Sequence, residues 1–305
     1  MKLKKYFFHE EWNIGIMPLP ETASINAVPD LLASASVYWL SRRFHFQADP
    51  FAVQQGELLY VFYEALNHHW VRGRIRCRVL NAKMQELEDF EIEGVNDLRC
   101  HLSFPFVFKY KNQWYMIPEA HELGKIVLFK ATDFPKKWQY TATLIEGIKL
   151  VDSFLWQRPE GLYLISAEHK TNRQTVYFSR ELTHGWQPYT GKVDSENQHT
   201  RPGGGVWHQN SMAYVPFQEC GAQEYGQSLY LKQIKVDDKG MTSSTEAHLL
   251  PFSSDYPSGI HTLNISKNYL IVDAKRWVFQ PLNFFIRKFR QLRTKLSKPE
   301  HGVYE

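Results

Sequence analysis

Acidic residues recur beside the apolar segments of this sequence. Asp49 and Asp152 lie near the start of two such segments, and Glu119 lies at the end of another. Glycosidic chemistry needs one protonated carboxyl group as a proton donor and one ionised carboxylate to activate water or attack the sugar. Crowding of acidic groups separates their pKa values and so creates these two roles. Asp49 and Asp152 are therefore the first candidate catalytic pair, and Glu119 is the third candidate.

Other polar residues lie at the same ends of the apolar segments. A buried charge without a partner costs several kcal/mol, so such residues need counter-charges, hydrogen bonds or water. The candidate substrate-binding residues are Glu64, His101, Ser103, Arg201, Gln218, His261, Asp273 and Arg276. We expect Arg201, His261 and Arg276 to supply the counter-charges. In the alternative, purely structural interpretation, the acids cap strand ends and bind backbone amides.

The segments that must position these residues have the pattern of strands. Most alternate apolar and polar residues with a period of two, and aromatic residues make up 15% of the chain, which favours sheets. Five segments share an order of polar entry residue, apolar strand, turn and aromatic-rich second strand. They begin near residues 48, 101, 150, 201 and 259. The period of about 50 residues is usual for a four-stranded propeller blade.

We therefore predict an all-β fold, a five-bladed β-propeller over residues 1–277. The strand near residues 12–17 would complete the last blade and close the ring. A β-sandwich with fortuitous repeats is the alternative. In a propeller the first strand of each blade lines the central channel, so the entry residues would converge on one cavity. The second strands would bring to the same rim Glu64, Glu119, Glu168, Gln218 and Asp273.

The composition excludes several other classes of protein. Charged residues make up 22% and hydrophobic residues 43% of the chain, which is ordinary for a soluble protein. Cys77, Cys100 and Cys220 are too few and too scattered for a disulfide framework or a zinc site. Glycines 203–205 lack the spacing of a nucleotide-binding loop. We expect neither a cofactor nor a metal ion, and we expect the protein in the cytoplasm.

Residues 278–305 form a basic tail outside the β pattern. Phe285, Phe289, Leu292 and Leu296 recur at helical spacing, so we predict an amphipathic helix. Residues 284–298 could bind an anionic membrane surface at the inner face of the membrane, bind a partner, or pack on the body. The tail carries six basic residues, more than the whole net charge of +4. The body is thus close to neutral, which argues against a nucleic-acid partner.

Several motifs, taken in order, resemble one known family. They are YWLSRRFHFQADPF, HLSFPFVFKYKNQWYMIPEA, VDSFLW, RPGGG with PFQECGAQEYG, and GIHTLN with VDAKR, between residues 10 and 277. The family is the propeller domain found N-terminal in plant glucosamine inositolphosphorylceramide transferases and in bacterial proteins of surface-polysaccharide loci. That domain is in turn similar to five-bladed glycosidases of the arabinanase, xylosidase and invertase type.

The similarity to those glycosidases implies roles by position. They use an Asp of the first blade as base or nucleophile, an Asp of the second to tune a pKa, and a Glu of the third as acid. Asp49 matches the first, whereas Ser103 stands at the second position and Asp152 at the third. These departures count against ordinary hydrolysis.

We expect a sugar or nucleotide-sugar ligand and keep two functions open. The first is an enzyme of cell-surface polysaccharide or glycoconjugate biosynthesis, of glycosyltransferase or glycosidase type. The second is a non-catalytic module that binds a glycan and recruits a glycosyltransferase partner.

Overall fold

The computed structural model describes residues 4–67, 72–193, 199–219, 225–238 and 240–296. Strands account for most of them. In chain order they are β1 (Phe8–Pro18), β2 (Tyr38–Trp39), β3 (Phe46–Gln55), β4 (Leu58–Leu66), β5 (Arg74–Leu80), β6 (Glu86–Glu91), β7 (Ser103–Tyr110), β8 (Gln113–Glu119), β9 (Lys125–Asp133), β10 (Lys137–Glu146), β11 (Leu150–Arg158), β12 (Gly161–Glu168), β13 (Gln174–Ser179), β14 (Gln187–Pro188), β15 (Arg201–Pro202), β16 (Trp207–Gln209), β17 (Met212–Gln218), β18 (Leu229–Asp237), β19 (Gly240–Leu249), β20 (Leu263–Ser266) and β21 (Tyr269–Phe279). The α-helices are α1 (Lys4–Phe7), α2 (Val28–Ser34) and α3 (Asn283–Leu296), and short 3-10 helices lie at Ile25–Ala27, Val95–Asp97 and His121–Leu123.

Tight turns join successive strands of the repeats. Lys111 and Asn112 connect β7 to β8 with φ angles of 44° and 64°, and Asn210 and Ser211 connect β16 to β17 with 50° and 64°. Two-residue hairpins with positive φ at both positions match the natural twist of the paired strands. Successive strands therefore pair antiparallel, as the sequence pattern predicts.

The described strands form four sheets. The largest has the order β20–β21–β1–β3–β4–β5–β6, with β2 on β1, and the others are β10–β9–β8–β7, β11–β12–β13–β14, and β15–β17–β18–β19 with β16 on β17. The largest sheet consists of two antiparallel groups, joined by a parallel contact between Trp12 of β1 and Phe46 of β3.

Strand β1, near the start of the described chain, pairs with the last strand and also contacts β3. It pairs antiparallel with β21 over its whole length, from Phe8 opposite Phe279 to Pro18 opposite Tyr269. Its Trp12 amide also donates to the carbonyl of His45, at 2.9 Å, just before β3. The strand expected near residues 12–17 is thus present and pairs with the last strand.

The first strands of three repeats share a break in register. It falls between Ala48 and Phe51, between Ser103 and Phe106, and between Val151 and Phe154. Within these breaks Asp49, Phe104 and Asp152 have φ angles of 51°, 42° and 50°. Residues other than glycine rarely adopt positive φ, and such bulges re-aim side chains. Phe104, rather than Ser103, therefore corresponds to the two acids, which corrects the alignment predicted from the sequence.

The first strands of different groups face one interior space. A cavity of about 250 Å³ is lined by Phe51 of β3, Phe106 of β7, Trp156 of β11, Val206 before β16 and Ile265 of β20, among others. The ring centroids of Phe51 and Phe106 lie 5.6 Å apart. Aromatic rings therefore fill much of the space between the sheets just beyond the register breaks.

The last strand and the last helix lie near the predicted boundary at residue 277. Strand β21 extends to Phe279, two residues beyond the predicted boundary, and α3 begins two residues after Pro281. Within the described residues, no helix is long and apolar enough to cross a membrane. Cys77 and Cys100 are buried free thiols. Cys220 and residues 297–305 lie outside the described residues.

Candidate functional site

Asp49, His261 and Asp273 form a buried cluster where β3 and β21 approach each other. The His261 ring lies between the two acids: its Nδ1 is 2.7 Å from Asp273 Oδ2, and its Nε2 is 3.4 Å from Asp49 Oδ1. Burial lowers the pKa of His261, but the charges of Asp273 and Asp49 outweigh this effect and raise it to about 9. The ring is therefore an imidazolium at neutral pH and serves as the counter-charge predicted for it.

The oxygens of these two acids accept hydrogen bonds from neighbouring groups. Asp49 accepts from the Thr262 hydroxyl at 2.8 Å and from the Phe104 amide at 3.3 Å. Asp273 accepts from the Asp49 amide at 2.9 Å and from the Thr262 amide at 2.9 Å. Burial raises the pKa of Asp49 to about 6, although the charge of His261 opposes the shift. Asp49 thus links the start of β3 to both β7 and the last repeat.

A second cluster surrounds Asp152 and Glu119. The guanidinium of Arg201 donates to Asp152 Oδ2, and Gln218 Nε2 donates to the same oxygen at 2.6 Å. The backbone amide of Asp152 donates to Glu119 Oε2 at 3.3 Å. His121 Nδ1 lies 2.7 Å from Glu119 Oε1. The Arg201 guanidinium therefore bonds to Asp152, and its positive charge also acts on Glu119.

The pKa values of these two acids shift in opposite directions. Burial raises the pKa of Asp152 well above its ordinary value, and the charge of Glu119 adds to the effect against that of Arg201. Burial also acts to raise the pKa of Glu119, but hydrogen bonds with His121 and Asp152 and the charge of Arg201 lower it to about 2. Asp152 is therefore the member of the pair that retains a proton more readily. A proton donor beside an ionised base requires this separation.

Solvent reaches the clusters through a small set of side chains. Asp49 and Asp152 are buried, whereas Arg201, His121 and His101 are partly exposed. The exposed ring of Tyr225 lies over this region. Its centroid is 5.3 Å from the Arg201 guanidinium carbon and 5.0 Å from the centroid of the His261 ring. A ligand that approached the carboxyl groups would meet donors and an aromatic face first.

Glu64 and His101 form a pair beside the central clusters. His101 Nε2 lies 3.2 Å from Glu64 Oε1, and the Gly73 amide donates to His101 Nδ1 at 2.9 Å. Only a ring nitrogen without a proton can accept from an amide. Nε2 therefore carries the proton, and it donates to Glu64.

Some predicted residues lie elsewhere. The guanidinium of Arg276 bonds to Glu11, at 3.0 Å, and Glu11 also binds Arg42, so Arg276 is not a counter-charge of the central acids. Glu168 binds Arg173 at 3.2 Å. In its repeat Ala167 pairs with Val151, as Glu64 pairs with Ala48 and Glu119 with Ser103. A shift of one residue therefore directs Glu168 away from the centre. Ser103 lies on β7 opposite Glu119 in the strand register.

Two residues of the site were not identified from the sequence. Tyr225 lies within PFQECGAQEYG, where its ring gave no periodic signal, and His121 follows the end of β8. For His121, the available sequence signal was its position two residues after Glu119.

The glycines of RPGGG have a packing role. A Cβ on Gly204 would lie 2.1 Å from the carbonyl oxygen of Leu263, and one on Gly203 would lie 2.7 Å from that of His261. The Leu263 amide donates to the Gly203 carbonyl at 2.8 Å. Here the close approach is between two segments of the chain itself.

Two groups of described residues could offer three metal-ligand atoms within 4.8 Å of one another. They are Asp49, His261 and Asp273, and His9, Glu11 and His45. In the first group both ring nitrogens of His261 already face carboxylate oxygens. In the second, Arg42 and Arg276 already pair with Glu11. A metal ion in the first place would have to replace a proton of the His261 ring, and one in the second place would have to displace an arginine side chain from Glu11.

The sequence matches a described family and curated relatives. Residues 18–252 match the family described as "Glucosamine inositolphosphorylceramide transferase 1, N-terminal". The protein named glucosamine inositolphosphorylceramide transferase 1 in Arabidopsis thaliana is 32% identical over 222 residues, which are 68% of this chain and 28% of that protein. The chain spans less than a third of the length of the curated relatives it matches. The resemblance found in the motifs is thereby confirmed.

Solved structures show a related fold. The catalytic domain of the Coprinopsis cinerea GH62 α-L-arabinofuranosidase aligns with a TM-score of 0.52 at 13% identity. The alignment covers 85% of this chain and 83% of the arabinofuranosidase chain. The GH43 endo-arabinanase of Bacillus licheniformis aligns with a TM-score of 0.52 at 11% identity and covers 77% and 93%. At these identities the likeness concerns the fold alone. It confirms a mostly β fold similar to the folds of these two proteins.

Proposed function

Because this chain belongs to the family of N-terminal domains of glucosamine inositolphosphorylceramide transferase 1, we propose that it acts on a sugar-bearing substrate of glycoconjugate assembly. The curated relatives are named for glucosamine, inositolphosphorylceramide and transfer, and the similar solved structures are named as glycosidases. Both sets of names support a sugar, or a nucleotide-linked sugar, as the ligand.

The observation that carries this proposal is the Glu119–Asp152 pair. Burial and the neighbouring carboxylate raise the pKa of Asp152, whereas the bonds to Glu119 lower its pKa to about 2. In the proposed reaction Asp152 gives its proton to the leaving oxygen, and Glu119 accepts the proton of the attacking hydroxyl or water. Asp49 has a positioning role, because its negative charge contributes to the raised pKa of Asp152. The first candidate pair thus changes from Asp49 with Asp152 to Glu119 with Asp152.

The proposal includes five blades arranged around this site. Hydrogen bonds between groups support that arrangement, since each repeat contacts the next. The Asp49 carboxyl group accepts from the Phe104 amide, and the Glu119 carboxyl group accepts from the Asp152 amide. The Asp152 side chain accepts from Arg201, and the Gly203 carbonyl accepts from the Leu263 amide. The Asp273 carboxyl group accepts from the Asp49 amide. The last contact returns to the first repeat. The pairing of β1 with both β21 and β3 supports closure at the same place.

The experiment measures binding and turnover separately. The purified chain is screened by thermal shift against nucleotide sugars and oligosaccharides, and every stabilising compound is then tested for conversion. We expect Asp152→Asn and Glu119→Gln to retain binding but to lose about 100-fold or more in turnover, the usual contribution of a general acid or base. Glu168→Gln is the matched control, because this acid ends β12 but binds Arg173. Turnover that survives both central substitutions would refute the assignment.

A second function, glycan recognition without turnover, is favoured by one observation. Asp49, Asp273 and Glu119 all accept hydrogen bonds from backbone amides of neighbouring segments, as structural acids would. In that case the chain would present a bound glycan to a glycosyltransferase partner. A compound that binds the wild type and both central variants equally, and that none of them converts, would favour this function.

A further inference from the structure

Large apolar side chains are exposed at the end of β21 and along α3. Phe285, Phe289 and Leu292 of α3 are 66%, 62% and 60% exposed. Phe279 at the end of β21 and Leu282 before α3 are 61% and 60% exposed. Because residues at i, i+4 and i+7 lie on one side of a helix, the three residues of α3 form a single apolar face. We call the surface made by these five residues, with Lys288, the tail surface.

Specific contacts hold α3 against the first elements of the chain, α1 and β1. Asn283 Nδ2 donates to the Phe8 carbonyl at 2.6 Å, and the Gln280 amide donates to the Phe7 carbonyl at 2.7 Å. The ring of Phe284 packs on Tyr6 of α1, with centroids 5.4 Å apart. The helix therefore packs the half-buried Phe284 towards the body, whereas Phe285 and Leu292 are exposed.

The charge of the helix is of one sign. The fourteen residues of α3, NFFIRKFRQLRTKL, contain Arg and Lys residues but no Asp or Glu. Lys288 is exposed, and its ammonium lies 4.8 Å from the centre of the Phe284 ring. A second copy of this surface would bring like charges together, and like-charge contacts disfavour association. An apolar face on a helix whose charged residues are all basic instead complements the interface of an anionic bilayer.

We infer that the tail surface binds an anionic lipid bilayer, with α3 lying in the plane of the headgroups. The apolar side chains enter the boundary between headgroups and acyl chains, and the basic residues remain among the anionic headgroups. This mode requires no spanning segment, in keeping with the absence of a spanning helix among the described residues. The inference is independent of the proposed turnover, since it uses none of the residues of the candidate site.

The tail surface and the candidate site lie along the same strand. Asp273 and Phe279 both belong to β21, six residues apart, which corresponds to about 20 Å of strand. A bilayer bound at the tail surface would therefore lie near the end of the fold that carries the carboxyl groups.

The test is co-sedimentation of the full chain with vesicles. One set is pure phosphatidylcholine, and the other contains about 30 mol% phosphatidylserine, so that the two sets differ in surface charge. We expect binding to the anionic vesicles and at least about tenfold weaker binding to the neutral ones. Each basic residue near an anionic surface contributes enough for such a ratio to arise from two or three of them.

Two variants examine the two parts of the surface. The double variant Phe285→Ser/Leu292→Ser is expected to weaken binding to anionic vesicles by about tenfold or more, because it removes buried apolar area. Lys288→Glu is expected to weaken binding to anionic vesicles while leaving the weak binding to neutral ones unchanged. Leu87→Ser is the matched control, since Leu87 is 53% exposed but lies on β6. Circular dichroism and thermal unfolding establish that each variant is folded.

Three outcomes would overturn the inference. The first is equal binding to both kinds of vesicle, and the second is no binding to either kind. The third is self-association in sedimentation velocity that the Phe285→Ser/Leu292→Ser variant abolishes, which would make the surface a contact between copies of the chain.

Discussion

The backbone amide of Asp152 donates to the side chain of Glu119, and so the position of one candidate acid depends on another. The contact of 3.3 Å joins β8 to β11, strands of different sheets. The positive φ of Asp152 directs this amide towards Glu119 rather than into the ladder with β12. The same local geometry therefore sets both the link between sheets and the opposed pKa shifts of the pair.

Removal of one partner of the Asp152–Arg201 contact should be strongly destabilising. Asp152→Asn removes the carboxyl group to which the mostly buried Arg201 guanidinium donates, and we expect a loss of about 3 kcal/mol in the free energy of unfolding. The double variant Asp152→Asn/Arg201→Gln should recover part of that loss, because the uncompensated charge is gone. Urea denaturation of the two single variants and the double variant measures this coupling. Strictly additive losses would contradict the paired arrangement.

The imidazolium of His261 predicts a pH dependence of stability. Its pKa rises from 6.5 to about 9 on folding, so the stabilisation is complete below 6.5 and is lost as the pH rises through 9. For this buried group the shift corresponds to about 3 kcal/mol in the free energy of unfolding. We expect the midpoint of urea unfolding to fall between pH 6.5 and 9, with a smaller fall in His261→Gln. An NMR titration in which His261 loses its proton near pH 6.5 would contradict the prediction.

The close packing of RPGGG predicts different costs at neighbouring glycines. Gly204→Ala places a Cβ 2.1 Å from a backbone oxygen that cannot move independently, whereas Gly205→Ala meets a side-chain carbon of Phe106 at 3.2 Å. We expect the first change to cost about 2 kcal/mol or more and the second clearly less. Thermal unfolding of the two variants measures the difference. Equal losses would show that the approach of Leu263 does not limit this turn.

The ring of Tyr225 predicts a role in ligand affinity, under the proposed function. Tyr225→Ala removes the aromatic face above Arg201 and should weaken binding of a sugar ligand about tenfold, whereas Tyr225→Phe should retain most of the affinity. Isothermal titration with a compound from the thermal-shift screen compares the two. Unchanged affinity in Tyr225→Ala would place the ligand elsewhere.

The sequence predicts the strands and the convergence of acids better than it predicts their registers. Asp49, His261 and Asp273 do come together in one cluster and Glu119 and Asp152 in another, since a repeated pattern places the acids near the ends of strands. The misassigned Ser103 and Glu168 each differ from the correct position by one residue. A shift of one residue reverses the face of a strand, and a bulge introduces such a shift without a clear trace in composition.

Arg276 shows a second kind of limit. Its position near Asp273 in the sequence did not indicate that its partner is Glu11. The two residues are 265 positions apart and bond because β1 pairs with β21. Long-range ion pairs of this kind depend on strand neighbours that periodicity alone does not identify. The apolar face of α3, by contrast, could be predicted, because the helical spacing of its apolar residues is a local signal.

The pairing of β1 with β21 also has a consequence for folding. During synthesis β1 emerges before its antiparallel partner β21, which follows only after more than two hundred further residues. Contacts of such long sequence separation form slowly, and a strand that waits for its partner leaves an edge open to incorrect pairing. The largest sheet can therefore be completed only late, and ribosome-bound chains that end before β21 are expected to be the species that most need chaperones.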